Sequence, residues 1–154
     1  MKMMYGLIAL VMLLGGCVSV EIEKTTDLRA EHVMLAKTGS EGQVDEAAPD
    51  SFRAGDEVSI VFLNVAGLQK GDDGLYKYDL DMELKDSAGK VIYTQKDLIG
   101  EAGHRALEGG IAKSPAGTIT TNEKTPKGTY TFTVTLKDKI SGKSIAESRE
   151  FTLK

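Results

Sequence analysis

Between residues 76 and 84 the chain reads Tyr-Lys-Tyr-Asp-Leu-Asp-Met-Glu-Leu, apolar and charged side chains alternating without a slip. Successive side chains of an extended strand leave on opposite faces. This register therefore puts Tyr76, Tyr78, Leu80, Met82 and Leu84 on one buried face, with Asp79 and Asp81 among the residues turned to water. Residues 129 to 136, Thr-Tyr-Thr-Phe-Thr-Val-Thr-Leu, repeat the pattern with threonine outside, a β-branched residue suited to a pleated surface. Two such segments predict an all-β chain whose sheets each keep one wet face.

The links between strands carry their own signals. Asp86-Ser87-Ala88-Gly89-Lys90 and Asp138-Lys139-Ile140-Ser141-Gly142-Lys143 each set a glycine late in a short polar stretch, where a hairpin needs positive φ. Each joins two antiparallel strands, the second members being residues 91–95 and 144–153. In the latter the apolar parity changes between Ala146 and Phe151, which predicts a bulge near residues 148–150. Residues 57–65 read as a buried strand with Val58, Ile60 and Phe62 on one side and Val61, Leu63 and Val65 on the other. Shorter candidates lie at 18–22, 107–112 and 118–121. Residues 27–37 fit either a strand or a short helix, 38–51 form an acidic loop, and 99–115 form a second, glycine-rich one. About seven strands at this spacing in 154 residues predict a single domain, an antiparallel β-sandwich.

A family resemblance sharpens this expectation. Residues 52–154 resemble the immunoglobulin-like domains of bacterial envelope proteins through Phe52-x-Ala54-Gly55-Asp56, Gly67-Leu68, Asp86-x-x-Gly89-Lys90, Pro126-x-Gly128-x-Tyr130, and Asp138-x-x-Ser141-Gly142-Lys143 ahead of Phe151. The resemblance implies an immunoglobulin-like sandwich in which Tyr130, two residues after Gly128, is the corner tyrosine that hydrogen-bonds back to upstream backbone. Phe132 then occupies the place of a disulfide cysteine. The core tryptophan of antibody-type domains is absent, with Tyr76, Tyr78 and Leu80 in its region, so packing alone holds such a core.

Cys17 is the sole cysteine and directly follows an apolar run from Met3 to Leu14, itself preceded by Lys2. That arrangement has the form of a signal peptide with small residues before its cut. Leu14-Gly15-Gly16-Cys17 resembles the lipobox of bacterial lipoproteins. The resemblance implies cleavage between Gly16 and Cys17, removal of the signal peptide 1–16, and Cys17 as a mature N-terminus bearing thioether-linked diacylglycerol and often a further acyl chain such as palmitate. Burial contributes about 0.8 kcal/mol per CH₂, so two or three chains together form a near-permanent anchor. The alternatives are an uncleaved anchor helix over residues 3–20 and an ordinary structural cysteine. On this reading residues 17–51 hold the lipidated terminus, the first strand or strands and the acidic loop, and share one domain with the core at 52–154. The location is extracytoplasmic, on the outer membrane where the organism has one; Val18 replaces the aspartate of the inner-membrane retention signal.

Composition narrows the chemistry. A formal charge of −4 without tryptophan lacks the basic stripe and stacking platform of a nucleic-acid binder. Charge is uneven along the chain: residues 113–154 hold 8 Lys and Arg against 4 Asp and Glu, a basic excess that suits either plain solubility or an anionic polymer or lipid headgroup. Only His32 and His104 are available as imidazoles, neither has a companion at zinc-ligand spacing, and no G-x-S-x-G elbow occurs. No catalytic activity and no cofactor are expected; a hydrolase built around His104 is the distant alternative. Asp72 and Asp73, in Lys70-Gly71-Asp72-Asp73-Gly74, are the acidic pair nearest to a calcium loop, although the EF-hand spacing is missing and a polar link between strands explains them as well. The sequence thus predicts a membrane-anchored, non-catalytic module that binds or scaffolds an envelope protein or polymer through its long loops or an exposed sheet edge.

Overall fold

The computed structural model describes residues 27–39, 41–100 and 114–154. The leader with Gly16 and Cys17, the candidate strands at 18–22 and 107–112, and His104 lie outside the described residues. Eight strands follow in chain order: β1 (Arg29–Thr38), β2 (Val44–Glu46), β3 (Glu57–Ala66), β4 (Tyr78–Lys85), β5 (Val91–Gln95), β6 (Ala116–Thr120), β7 (Gly128–Asp138) and β8 (Ser144–Leu153). They form two four-stranded antiparallel sheets, β2-β1-β3-β6 and β5-β4-β7-β8. The chain is an immunoglobulin-like β-sandwich: β1, β3 and β6 take the places of strands A, B and E, and β4, β7 and β8 those of C, F and G.

The alternating residues make the interface between the sheets. Phe52, Val58, Ile60, Phe62, Phe132, Val134 and Leu136 are fully enclosed, and Tyr78, Leu80, Met82 and Leu84 project from β4 into the same core. Tyr76 falls just before β4, half-buried, bridging to Lys70 instead of extending the strand. On β6, Gly117 lets the backbone settle on β7: a Cβ there would come within 2.7 Å of Val134 Cγ2. Tyr130 stacks on Phe151 at 5.5 Å, Phe52 meets the same ring edge-on, and the Tyr130 hydroxyl donates to the Pro126 carbonyl. This is the corner the resemblance implied, with Phe132 fully buried two residues on.

Four expectations are corrected or resolved. Residues 29–38 are a strand, and the clean period of two is missing because Leu35 and Ala36 are both buried, on opposite faces. The acidic loop contains a short strand, β2, which adds to the expected seven. On β3, Val65 packs toward the core with Phe62 because Asn64, at φ 50°, turns the strand over between them. No bulge interrupts β8, whose register with β7 is continuous from Gly128↔Leu153 to Lys137↔Ser144. The inward row there runs Ile145, Glu147, Arg149, Phe151, Leu153. Glu147 and Arg149 pair at 2.9 Å, and Arg149 also donates to the Val33 carbonyl across the seam, its stem covering apolar surface. Polar side chains at the margin of a sandwich thus imitate a parity break.

Both sheets share two ends. At the lower end, Asp27 just before β1 pairs with Lys143 at the start of β8, and the Gln69 amide reaches Asp138 at the end of β7. The upper end is closed where Phe52 bridges Leu153 and Thr121 caps the turn at Gly55.

Candidate functional site

The lower end is built on Asp138, 1% exposed. Its Oδ1 accepts from the Ile140 amide, and its Oδ2 accepts from the Ser141 hydroxyl and the Gln69 amide. One carboxylate therefore shapes the 138–143 hairpin, completed by Gly142 at φ 73°, and fastens the 67–77 loop beside it. Within that loop the Gly71 amide donates to the Leu75 carbonyl, Asp73 Oδ1 accepts from the Leu75 amide, and the Lys70 ammonium lies 5.3 Å over the Tyr76 ring. Between loop and hairpin is a bowl of about 420 Å³ lined by Lys70, Gly71, Asp72, Asp73, Lys77, Lys139 and Ile140.

The bowl brings together the two predicted aspartates, Lys70 of the same motif, and two lysines from outside it, Lys77 and Lys139. Asp73 is already engaged by Lys77 at 2.9 Å. Hydrogen bonds from Lys77 and from the Leu75 amide hold its carboxyl below the ordinary carboxylate range. Lys77 is held by Asp73 and Lys139 lies 3.4 Å from the Asp79 carboxylate, so the ammonium groups and carboxylates of the bowl largely balance one another and the aspartates are not left free for a divalent cation. No group of three or more His, Cys, Asp or Glu among the described residues could hold a metal ion.

Beside the bowl runs an ionic ladder. Asp79 faces away from the core, as the alternation requires, yet it is fully buried. The reason is the segment after β5, which bulges at Asp97 (φ 50°) and then folds along β4: Leu98 donates to the Leu80 carbonyl and Ile99 to Asp79 Oδ1. The other oxygen, Oδ2, has no hydrogen-bond partner and lies 3.4 Å from the Lys139 ammonium. Lys137 sits 2.7 Å from both Asp81 and Asp97. Burial pushes the Asp81 carboxyl up, but hydrogen bonds from Lys137 and the Asp97 amide outweigh it and leave the group below its usual value. Lys137 is likewise pushed down by burial and raised further by its two carboxylates.

A carboxyl held below its unfolded value contributes stability that is present above that value and fades as pH falls through the folded one. The midpoint of thermal unfolding should therefore be flat from pH 7 to 5 and fall below about pH 4. Lys137→Met should lose on the order of 1 kcal/mol at pH 7 and show a shallower acid limb, since its partners no longer titrate low. Parallel acid limbs in variant and parent would contradict the assignment.

His32 is exposed on β1, its Nε2 3.8 Å from Glu46, and is not among the residues that line the bowl. Lys137, Lys139 and Asp97 escaped the sequence reading. The register Asp79↔Lys137 is what brings them to the aspartates, and only the exposed, alternating placement of Lys137 and Lys139 around Asp138 hinted at it.

With this geometry in view, no protein-family model and no curated protein matches the chain. Among solved structures, the soluble domain of PmoD from Methylocystis is similar at a TM-score of 0.40 and 10% identity, over 79% of this chain and 90% of that one.

Proposed function

We propose that this chain is a lipid-anchored, extracytoplasmic, non-catalytic module of the cell envelope that binds or scaffolds another envelope component. The observation that carries the reading is Leu14-Gly15-Gly16-Cys17, placed about ten residues ahead of Asp27 at the lower end of the sandwich. Those residues fully extended span at most about 35 Å, so an anchor at Cys17 keeps the lower end close to the bilayer. The bowl, with its exposed Lys70, then opens within reach of anionic headgroups or polymer. The upper end is left for proteins.

Labelled fatty acid should enter the wild-type protein and not Cys17→Ser, which should move from the membrane pellet to the soluble fraction or accumulate as the uncleaved precursor. Intact mass spectrometry of the membrane-bound protein showing residues 1–16 retained and Cys17 unmodified would replace this reading with an uncleaved anchor helix.

A further inference from the structure

The four large hydrophobic side chains exposed among the described residues all lie on two edge strands: Val44 on β2, at 46%, and Val91, Ile92 and Tyr93 on β5, at 44%, 46% and 40%. Among the described residues each strand ends its sheet, so one row of its backbone N–H and C=O groups has no ladder partner there, the condition for adding a strand. The two edges differ in charge. β2 carries Asp45 and Glu46, whereas β5 is bracketed by Lys90 and Lys96. They also agree in direction and height. β2 opposes Ala36–Thr38 at the upper end of β1, and β5 opposes Met82–Lys85 toward the upper end of β4. Both run downward, on opposite sides of the body.

We infer that the chain associates head to tail with further copies of itself, β2 of one molecule pairing in parallel with β5 of the next. Val44 faces away from its own core opposite Thr38 and would lie beside Tyr93, which shares the core-side face of β5 with its partner Leu84, with acidic residues meeting the flanking lysines. A two-fold pairing of β5 with itself is the competing arrangement. It requires antiparallel strands, which sets Lys90 against Lys96 twice and turns one copy upside down. The head-to-tail contact keeps every copy upright. Because it does not close, it generates a row instead of a dimer. A contact of three to five residues is weak in dilute solution, and anchoring in one membrane supplies the local concentration it needs. In that respect the inference rests on the proposed anchoring; the charge match does not.

The test uses the full chain expressed with its leader and oxidised in isolated membranes. Val44→Cys and Tyr93→Cys are placed singly, co-expressed as two singles, and combined in one chain, with linkages mapped by peptide mass. Expected are a dimer from the co-expressed pair, a ladder from the combined variant, and no 44–44 or 93–93 linkage in the singles. Asp45→Lys with Glu46→Lys should abolish linkage, and Lys90→Glu with Lys96→Glu on the co-expressed partner should restore it. A 93–93 dimer overturns the proposal in favour of two-fold pairing. So does a combined variant that stays monomeric with an unchanged melting midpoint. Mass analysis of Cys17 in the same sample separates the two readings. Linkage with Cys17 unmodified keeps the pairing and rejects the anchor; acylated Cys17 without linkage does the reverse, and failure of both rejects both.

Discussion

Phe132→Ala should destabilise the sandwich by about 3–5 kcal/mol and lower its melting midpoint by roughly 12–20 °C. The ring is fully enclosed at the centre of β7, opposite Leu84 on β4 and Arg149 on β8, so six carbons' worth of contact disappear into a space the rigid β4-β7-β8 ladder cannot refill. A domain of this size is stable by about 5–15 kcal/mol, which makes one ring a large share of the whole. Phe132→Leu should recover most of the loss. Circular dichroism melts of the two variants decide the matter: a drop of under about 1 kcal/mol for alanine would mean that Phe132 is not the central brace between the sheets.

Asp138→Ala should cost about 3 kcal/mol, more than an ordinary surface aspartate by an order of magnitude. Three donors converge on this one buried carboxylate, the amides of Gln69 and Ile140 and the hydroxyl of Ser141, and alanine leaves them facing each other without an acceptor. Asp138→Asn should fall between, since its single carbonyl oxygen can serve only part of the set. Beyond the midpoint, hydrogen exchange distinguishes this account from general loosening. The Gln69 and Ile140 amides should exchange faster in the alanine variant while those of the β3–β6 ladder, far from the turn, keep their order of protection. Uniform acceleration throughout the sandwich would refute a local role.

What could be read from the sequence follows from how far each signal travels along the chain. The alternation on β4 and β7, the glycines at 89 and 142 and the corner at Tyr130 are local features, each decided by a few neighbouring residues, and the structure bears each of them out. Asp79 is the contrary case. Its outward direction was legible, but its burial depends on residues 97–100 folding back along β4, a contact set by the bulge at Asp97. The same holds for the bowl: Asp72 and Asp73 stand out as a cluster, and the ammonium groups that balance it arrive from Lys139 on a distant hairpin as well as from Lys70 and Lys77 nearby. Glu147 and Arg149 imitate an outward-facing pair because polar side chains ordinarily turn to water, whereas at the seam between β8 and β1 an arginine can face inward and still reach a carbonyl.

The ring trio of Phe52, Tyr130 and Phe151, together with Phe132, occupies the region that many sandwiches brace with sulfur. From Asp27 onward the chain has no thiol at all. Reductants and oxidants therefore have no disulfide in this body to make or break, and its folding needs neither side of a redox boundary in particular.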